Sequence, residues 1–165
     1  MYFKRLLSIM LSAVLICAGI PGAAAESTDA FYAENDILMY VGKTDAFYKR
    51  DRVPVDILNG NISPYKENGT IYVPLEFVTR CANVRLIKDM DNIGTYTVNG
   101  NTVSAVMKNS TPYITAKNAA EITGRNALID GDCVVLTDTG SNTGYDSILK
   151  KARNDFDNTY HVVPD

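Results

Sequence analysis

Short apolar runs separated by turn residues dominate the chain from Ile37 onward. Runs of this length, rich in valine, isoleucine, leucine and tyrosine, are typical of β-strands. Three Asn-Gly pairs, at 59–60, 68–69 and 99–100, suit the positive φ angles of tight hairpin turns. The pattern predicts strands over residues 37–41, 53–58, 71–73, 85–88, 95–98, 102–107, 113–114, 127–129 and 133–137.

Two short helices are predicted between these strands. The first opens at Pro74, because proline loses no hydrogen bond in the first helical turn, and it ends at Asn83. The second follows Thr115, a predicted N-cap, and ends at Gly124. The helical period predicts an inward-facing side for each helix. In the first helix this side carries Leu75, Val78, Cys81 and Ala82, and Glu76, Thr79 and Arg80 face outward. In the second helix the inward side carries Ala116, Ala119, Ile122 and Thr123.

A degraded internal repeat runs through this region with a shift of 41 positions. Residues 68–83 align with 109–124, and Asp89-Met-Asp91 aligns with Asp130-Gly-Asp132. One such unit alone cannot bury its apolar face, so a duplication predicts two halves that cover each other. The expected fold class is therefore α+β and sheet-dominated, with two related strand-helix-strand-hairpin units packed on each other.

The first 25 residues have the features of a signal peptide. Lys4 and Arg5 precede an apolar stretch of about 15 residues, shorter than the ~20 needed to span a bilayer. Small alanines follow, which predicts cleavage between Ala25 and Glu26. The expected location is secreted or cell-surface, with no retained membrane segment.

The remaining chain is predicted to form one domain with a tail. Residues 26–35 are small and polar and indicate a tether, residues 36–138 form the duplicated domain, and residues 139–165 form a linker and C-terminal tail. Within the tail, residues 145–156 carry a partial apolar stripe that predicts one marginal helix.

The charge balance argues against an anionic partner. Without Lys4 and Arg5, 14 basic residues face 19 acidic ones, a formal charge of −5. Neither nucleic acid nor an anionic membrane surface is an expected partner.

The sequence Thr-Ile-Tyr-Val-Pro-Leu-Glu-Phe-Val occupies residues 70–78. It leads into the first predicted helix, which is followed by an asparagine that ends the helix, a strand and a turn with aspartates. Over about residues 36–138 this order resembles the copper amine oxidase N-terminal-like domain of bacterial exported proteins, which often carries two copies of the unit. The chain departs from that family at Glu76, where arginine is common, at Asn83, where glycine is common, and before Asp89, where tryptophan is common. The resemblance implies an accessory stalk on envelope proteins or polysaccharide-active enzymes.

No catalytic residue, metal or cofactor is predicted. Amine oxidase chemistry requires a tyrosine-derived quinone and three histidines, which the resemblance assigns to a different domain. This chain has one histidine, His161, and copper is commonly held by several imidazoles. Nucleophilic catalysis that needs a histidine as the general base would likewise have only His161 available. A glycosidase carboxylate pair is disfavoured because no acidic residue lies in an apolar run.

The two Asp-x-Asp pairs are candidates for a calcium site or for turns. The fifth positions of such loops are Ile93 and Val134, which do not fit the helix-loop-helix calcium pattern. Aspartate is also a common turn residue, because its side chain accepts hydrogen bonds from nearby backbone N–H groups. The turn interpretation is favoured.

Tyrosines are the candidate ligand contacts, since exposed rings stack on sugars. The candidates are Tyr40, Tyr48, Tyr65, Tyr72, Tyr96 and Tyr113. Tyrosine in a strand is also ordinary half-buried packing, and Tyr72 and Tyr113 occupy equivalent repeat positions, which favours a structural role. Cys81 and Cys133 either form a disulfide or are buried separately, and the sequence leaves both possibilities open.

The sequence as a whole predicts a non-catalytic secreted or cell-surface accessory domain, or a spacer, with a cell-wall or polysaccharide ligand. The alternative is the N-terminal part of a secreted polysaccharide-degrading enzyme of the β-helix type. That alternative follows from residues 160–165, which resemble the opening strand of right-handed parallel β-helix proteins.

Overall fold

Strands outnumber helices in the structure, a computed structural model that describes residues 35–49, 51–138, 149–151 and 153–156. The strands are β1 (Ile37–Tyr40), β2 (Asp45–Tyr48), β3 (Asp51–Pro54), β4 (Tyr65–Glu67), β5 (Thr70–Pro74), β6 (Leu86–Lys88), β7 (Thr95–Val98), β8 (Asn101–Ser104), β9 (Val106–Lys108), β10 (Thr111–Thr115), β11 (Asn126–Asp130) and β12 (Cys133–Thr137). The helices are α1 (Leu75–Cys81) and α2 (Ala116–Thr123). Residues 149–151 and 153–156 are also helical and are called the C-terminal helix below.

The strands form three antiparallel sheets. A five-stranded sheet has the order β11-β12-β1-β2-β3, a four-stranded sheet the order β4-β5-β10-β9, and a three-stranded sheet the order β6-β7-β8. Because strands outnumber the short helices that pack on them, the predicted sheet-dominated α+β class is confirmed.

The elements recur in the same order along the chain. The β4–β5 hairpin leads into α1 and then the β6–β7 hairpin, and the β9–β10 hairpin leads into α2 and then the β11–β12 hairpin. The first residues of β5 and β10, Thr70 and Thr111, are separated by the same 41 positions as the sequence repeat. These two strands pair antiparallel at the centre of the four-stranded sheet, with Val73 opposite Ile114.

Most predicted strands are present, with three differences. β2 and β4 were not predicted, and the predicted strand 102–107 is divided into β8 and β9 at Ala105. The prediction of a strand over 53–58 was wrong beyond Pro54, where β3 ends. Proline lacks a backbone donor and is tolerated on an edge strand, and β3 is the edge of its sheet.

Both helices begin and end near the predicted residues. The Thr115 hydroxyl accepts a hydrogen bond from the backbone N–H of Asn118 at 3.1 Å, and Gly124 closes α2 with a φ of 66°. Asn83, just after α1, has a φ of 53°. The outward placement of Thr79 was wrong: it is buried, and its hydroxyl donates to the Leu75 carbonyl at 2.9 Å. This intrahelical bond satisfies the hydroxyl, so threonine tolerates burial there.

β12 is the most deeply buried strand, with all five residues buried. Alternate side chains of a strand point to opposite faces of a sheet. On the inner face, Val134 and Leu136 join Ile37 and Met39 in the main core. On the outer face, Cys133 and Val135 belong to a second, smaller core that contains Phe156.

The packed structure continues past Asp138, the predicted end of the domain. Phe156 of the C-terminal helix is buried against the outer face of the five-stranded sheet. The predicted signal peptide with its cleavage site, residues 26–34 of the tether, His161 and the strand-like residues 160–165 lie outside the described residues.

The three Asn-Gly pairs differ in conformation although their sequences are the same. Asn68 and Gly69 have φ angles of 49° and 77°, and Asn99 and Gly100 have 49° and 83°, as tight hairpin turns require. Gly60 has no positive φ and lies in a longer loop, so the hairpin predicted there was wrong.

This difference predicts opposite outcomes for two matched substitutions. We expect Gly69→Ala to lower the free energy of unfolding by about 1 kcal/mol, because a side chain disfavours the left-handed region. Gly60→Ala should be neutral or stabilising by up to about 1 kcal/mol through the unfolded chain. An added Cβ meets no atom within 4 Å at either position, so neither variant introduces a clash. Urea unfolding measures both, and equal losses would contradict the turn assignment.

Candidate functional site

The loop of residues 55–64, which connects β3 to β4, exposes large apolar side chains. Val55 and Ile62 are buried near the two ends of the loop, whereas Ile57 is 70% and Leu58 is 97% exposed between them. Large apolar side chains displayed together in this way are typical of binding surfaces.

The loop is held in shape by its own polar groups. One Asp56 carboxylate oxygen accepts hydrogen bonds from the backbone N–H groups of Leu58, at 2.7 Å, and Asn59, at 2.9 Å. The Asn59 side chain then accepts from the backbone N–H of Asn61 at 3.1 Å. These turn contacts order the backbone of the loop between Asp56 and Asn61.

Two cavities lie against this loop and share Ile57 and Arg80. The larger has a volume of about 400 Å³ and is lined by Val55, Asp56, Ile57, Leu58, Ile62, Pro74, Glu76, Phe77, Arg80 and Thr111. The smaller has a volume of about 270 Å³ and is lined almost entirely by apolar atoms of Tyr48, Val53, Pro54, Ile57, Arg80 and Cys81. The larger cavity is called the loop groove below.

Arg80 joins α1 to the base of the loop. Its Nη2 atom donates hydrogen bonds to the carbonyls of Pro54 and Val55, both at 3.2 Å. Its guanidinium carbon lies 5.4 Å from the centroid of the Phe77 ring, within the range of a cation–π contact. The loop groove therefore combines an apolar floor with a guanidinium and two carboxylates, Asp56 and Glu76.

The tyrosines predicted as ligand contacts mainly pack on each other. Tyr65 stacks on Tyr72 with centroids 4.9 Å apart and meets Tyr113 edge-on at 4.9 Å. The Lys108 ammonium lies 3.7 Å from the Tyr65 ring centroid. Since these contacts cover ring surface that a sugar would need, the structural interpretation of this group fits the geometry better.

The other tyrosines also have packing roles. Tyr96 is buried, and its hydroxyl lies 3.8 Å from the Met107 sulfur. Tyr40 contacts the Phe156 ring at 5.4 Å between centroids. Tyr48 alone lines one of the two cavities at the loop. Burial raises the pKa values of Tyr65, Tyr96 and Tyr113 above that of a free tyrosine, so these hydroxyls stay protonated at neutral pH.

The two aspartate pairs form turns and ion pairs. Asp89 accepts hydrogen bonds from the backbone N–H groups of Asp91 and Asn92 and from the Asn92 amide, and these bonds lower its pKa. In the second pair, Asp130 is bound by Arg153 and Asp132 by Lys66. Within the described ranges, no group of three or more histidine, cysteine or acidic side chains is placed to hold a metal ion.

Cys81 and Cys133 are both buried and both free. Burial raises the pKa of Cys81 to about 11 and that of Cys133 to about 12. At neutral pH both are thiols, which are poor nucleophiles and metal ligands compared with thiolates. In the structure the two cysteines are separate apolar packing residues.

The loop groove is not among the sites predicted from the sequence. Two signals in the sequence indicate it: Pro54 disfavours a strand that continues inward, and the adjacent Ile57 and Leu58 break the alternation of a half-buried strand. The groove also requires α1, which is brought against the loop only by the tertiary fold.

No family model, curated protein or solved structure shows a significant match to this chain. Among the residues with an assigned position, no helix is long and apolar enough to cross a membrane.

Proposed function

We propose that this chain is a non-catalytic, exported accessory domain that binds a cell-envelope or polysaccharide ligand in the loop groove. The observation that carries the proposal is the exposure of Ile57 and Leu58 beside a cavity of about 400 Å³. Concave sites with a largely apolar lining and a few convergent polar groups are the usual form of small-ligand sites.

The chemistry of the groove suits a carbohydrate. A sugar ring presents apolar C–H faces and a rim of hydroxyl groups. Ile57 and Leu58 supply the exposed apolar surface, and the carboxylates of Asp56 and Glu76 accept hydrogen bonds from hydroxyl donors. Thr111 lies at the same cavity and adds a hydroxyl that both donates and accepts.

The proposal includes an origin of the scaffold by duplication. The 41-position shift of the sequence repeat also relates β4 to β9, β5 to β10 and α1 to α2. The antiparallel pairing of β5 with β10, with Val73 opposite Ile114, supports this proposal, because two units that cover each other's apolar sides must meet along one such pair. An experimental structure in which residues 65–88 fail to superpose on residues 106–129 would rule this origin out.

Leu58→Ser tests the binding role of the loop groove. We expect roughly five- to thirty-fold weaker retention on purified cell wall or on soluble glycans, because the exposed anchor of a small site contributes about 1–2 kcal/mol. The free energy of unfolding should change by less than about 0.5 kcal/mol, since Leu58 is 97% exposed.

Met90→Ser is the matched control, because Met90 is 84% exposed in the turn between β6 and β7, outside the groove lining. It should leave retention unchanged. If the unaltered chain is retained on neither cell wall nor glycans, the domain is a spacer and the binding proposal fails. Equal losses for both variants would indicate non-specific apolar adhesion.

A further inference from the structure

Strand β8 differs in composition from the other edge strands of the described sheets. Charged side chains on an edge strand discourage pairing with another chain, and proline does the same. The edge strands β3, β4, β6, β9 and β11 each carry at least one charged residue, and β3 also ends in Pro54. β8 reads Asn-Thr-Val-Ser and has neither. It is therefore the sheet edge whose composition best accepts a further strand.

The backbone of β8 directs hydrogen-bonding groups away from its partner strand. β8 pairs antiparallel with β7 through the tight turn at residues 99–100, and the residues that flank such a turn form a hydrogen-bonded pair. Hydrogen-bonded and non-hydrogen-bonded pairs then alternate along the hairpin, which places Thr102 and Ser104 in non-hydrogen-bonded pairs. The bond of 2.7 Å from the Ala105 N–H to the Gly94 carbonyl fixes the same alternation from the other end. The backbone N–H and C=O groups of Thr102 and Ser104 therefore point to the open side of β8.

A cleft with a volume of about 370 Å³ lies between β8 and α2 and is called the β8 cleft below. All four residues of β8 line it, and α2 contributes Asn118, Glu121 and Ile122. These three residues have the spacing of neighbours on one side of a helix. An open strand edge along a cleft is the arrangement to which an extended peptide adds as a further strand.

The charge of the β8 cleft favours a basic peptide. Among the described residues that line it, Glu121 alone is charged, and the other polar groups are the neutral side chains of Asn101, Thr102, Ser104 and Asn118. A lysine or arginine side chain on the peptide is attracted to the Glu121 carboxylate, whereas an acidic side chain is repelled. Because Glu121 is exposed, we expect this attraction to set a preference and the backbone pairing to supply most of the affinity.

We propose that the β8 cleft binds an extended polypeptide segment with basic side chains, which pairs with β8 as an additional strand. Thr102 and Ser104 together offer two backbone donors and two backbone acceptors, and a segment of about three to five residues spans both. The β8 cleft shares no lining residue with the loop groove. The proposal is therefore independent of the glycan ligand proposed above.

The first test uses the acetylated and amidated pentapeptide Val-Lys-Val-Lys-Val, whose alternation presents either type of side chain to α2. In an NMR titration we expect a dissociation constant of about 1 mM or tighter, with the largest amide shifts at Thr102 and Ser104. The acidic peptide Val-Glu-Val-Glu-Val should bind about five-fold more weakly or less. Absence of binding at about 1 mM, or shifts confined to other parts of the chain, overturns the proposal.

Backbone N-methylation of the peptide distinguishes strand pairing from side-chain contact. Only alternate N–H groups of an added strand face β8. The basic peptide is therefore made in two versions, methylated at its odd or at its even residues. One version should lose about ten-fold in affinity or more, and the other should change by less than about three-fold. Equal effects of the two methylation patterns overturn the strand pairing.

Ser104→Pro and Ser104→Ala form a matched pair on the chain itself. Proline removes the outward N–H and is tolerated on an edge strand where that N–H does not join the ladder, whereas alanine removes only the hydroxyl. Ser104→Pro should weaken binding of the basic peptide about five-fold or more, and Ser104→Ala by less than about two-fold. Equal binding by two variants that both unfold cooperatively in urea contradicts the proposal.

Glu121→Lys is a second variant that leaves β8 unchanged. Glu121 is exposed on α2, so the substitution should preserve the fold and reverse the preference between the basic and acidic peptides. An unchanged preference overturns the assignment of a basic segment.

Sedimentation at the concentration of the titration tests whether a second copy of the chain occupies the β8 cleft instead. We expect a monomer with and without the peptide. A dimer that Ser104→Pro converts to a monomer, and that the basic peptide does not dissociate, would assign β8 to self-association and overturn the proposal.

Discussion

Leu136→Ala should lower the free energy of unfolding by about 3 kcal/mol, within the 2–5 kcal/mol typical of buried leucines. Leu136 is fully buried on the inner face of β12, opposite Ile37 of β1 and Ala127 of β11. Neighbouring strands enclose it on both sides, so the structure cannot relax easily into the space that the truncation leaves. Urea unfolding with a common m-value measures the loss.

Ile129→Ala is the matched control on the same sheet. Ile129 is 50% exposed on β11, so its truncation should cost less than about 1 kcal/mol. A similar loss for both variants would mean that β12 is not the centre of the core, and it would contradict the strand order of the five-stranded sheet.

Asp138→Asn should also be strongly destabilising, by about 2 kcal/mol. The Arg125 side chain is only 7% exposed, and its Nε atom donates to Asp138 at 2.9 Å. The buried Nη1 atom of Arg125 has no hydrogen-bond partner among the positioned residues. Removing the carboxylate therefore leaves a buried cation without its counter-charge, which is the costly way to break such a pair. Thermal and urea unfolding of the variant measure this loss.

Arg125→Met distinguishes the cost of an unpaired buried charge from the net contribution of the Arg125–Asp138 ion pair to stability. Methionine keeps much of the apolar volume and removes the buried charge together with its desolvation penalty. We expect a loss below about 1 kcal/mol, smaller than that of Asp138→Asn. The reverse order would show that the ion pair is itself strongly stabilising.

Residue type alone did not predict which side chains form the candidate site. The tyrosines drew attention because their type suits sugar stacking, yet Tyr65, Tyr72 and Tyr113 cover each other in the four-stranded sheet. Their mutual contact depends on the pairing of β4, β5 and β10, which the local sequence does not specify. The loop groove was missed for the same reason, because Arg80 of α1 donates to the carbonyls of Pro54 and Val55, which lie 26 and 25 positions earlier in the chain.

The C-terminal helix is attached to the fold through one buried side chain, Phe156. Its partial apolar stripe predicted one marginal helix within a tail. Its role in the fold depends on Phe156, which is buried only because the outer face of β1 and β12 is apolar. Since β12 is buried on both faces, its sequence is a continuous apolar run, and such a run gives no indication of what covers each side.

The sequence by itself determined the local elements of this protein: the strand-rich composition, the Thr115 cap, the left-handed residues that close both helices, and the hairpins at Asn68 and Asn99. These depend on interactions between near neighbours, so the residue types suffice to specify them. The tertiary structure alone decided which strands pair, how the loop groove forms against α1, and what covers the outer face of the five-stranded sheet. Those features depend on contacts between residues far apart in the chain, whose partners are selected by the packing of the whole core.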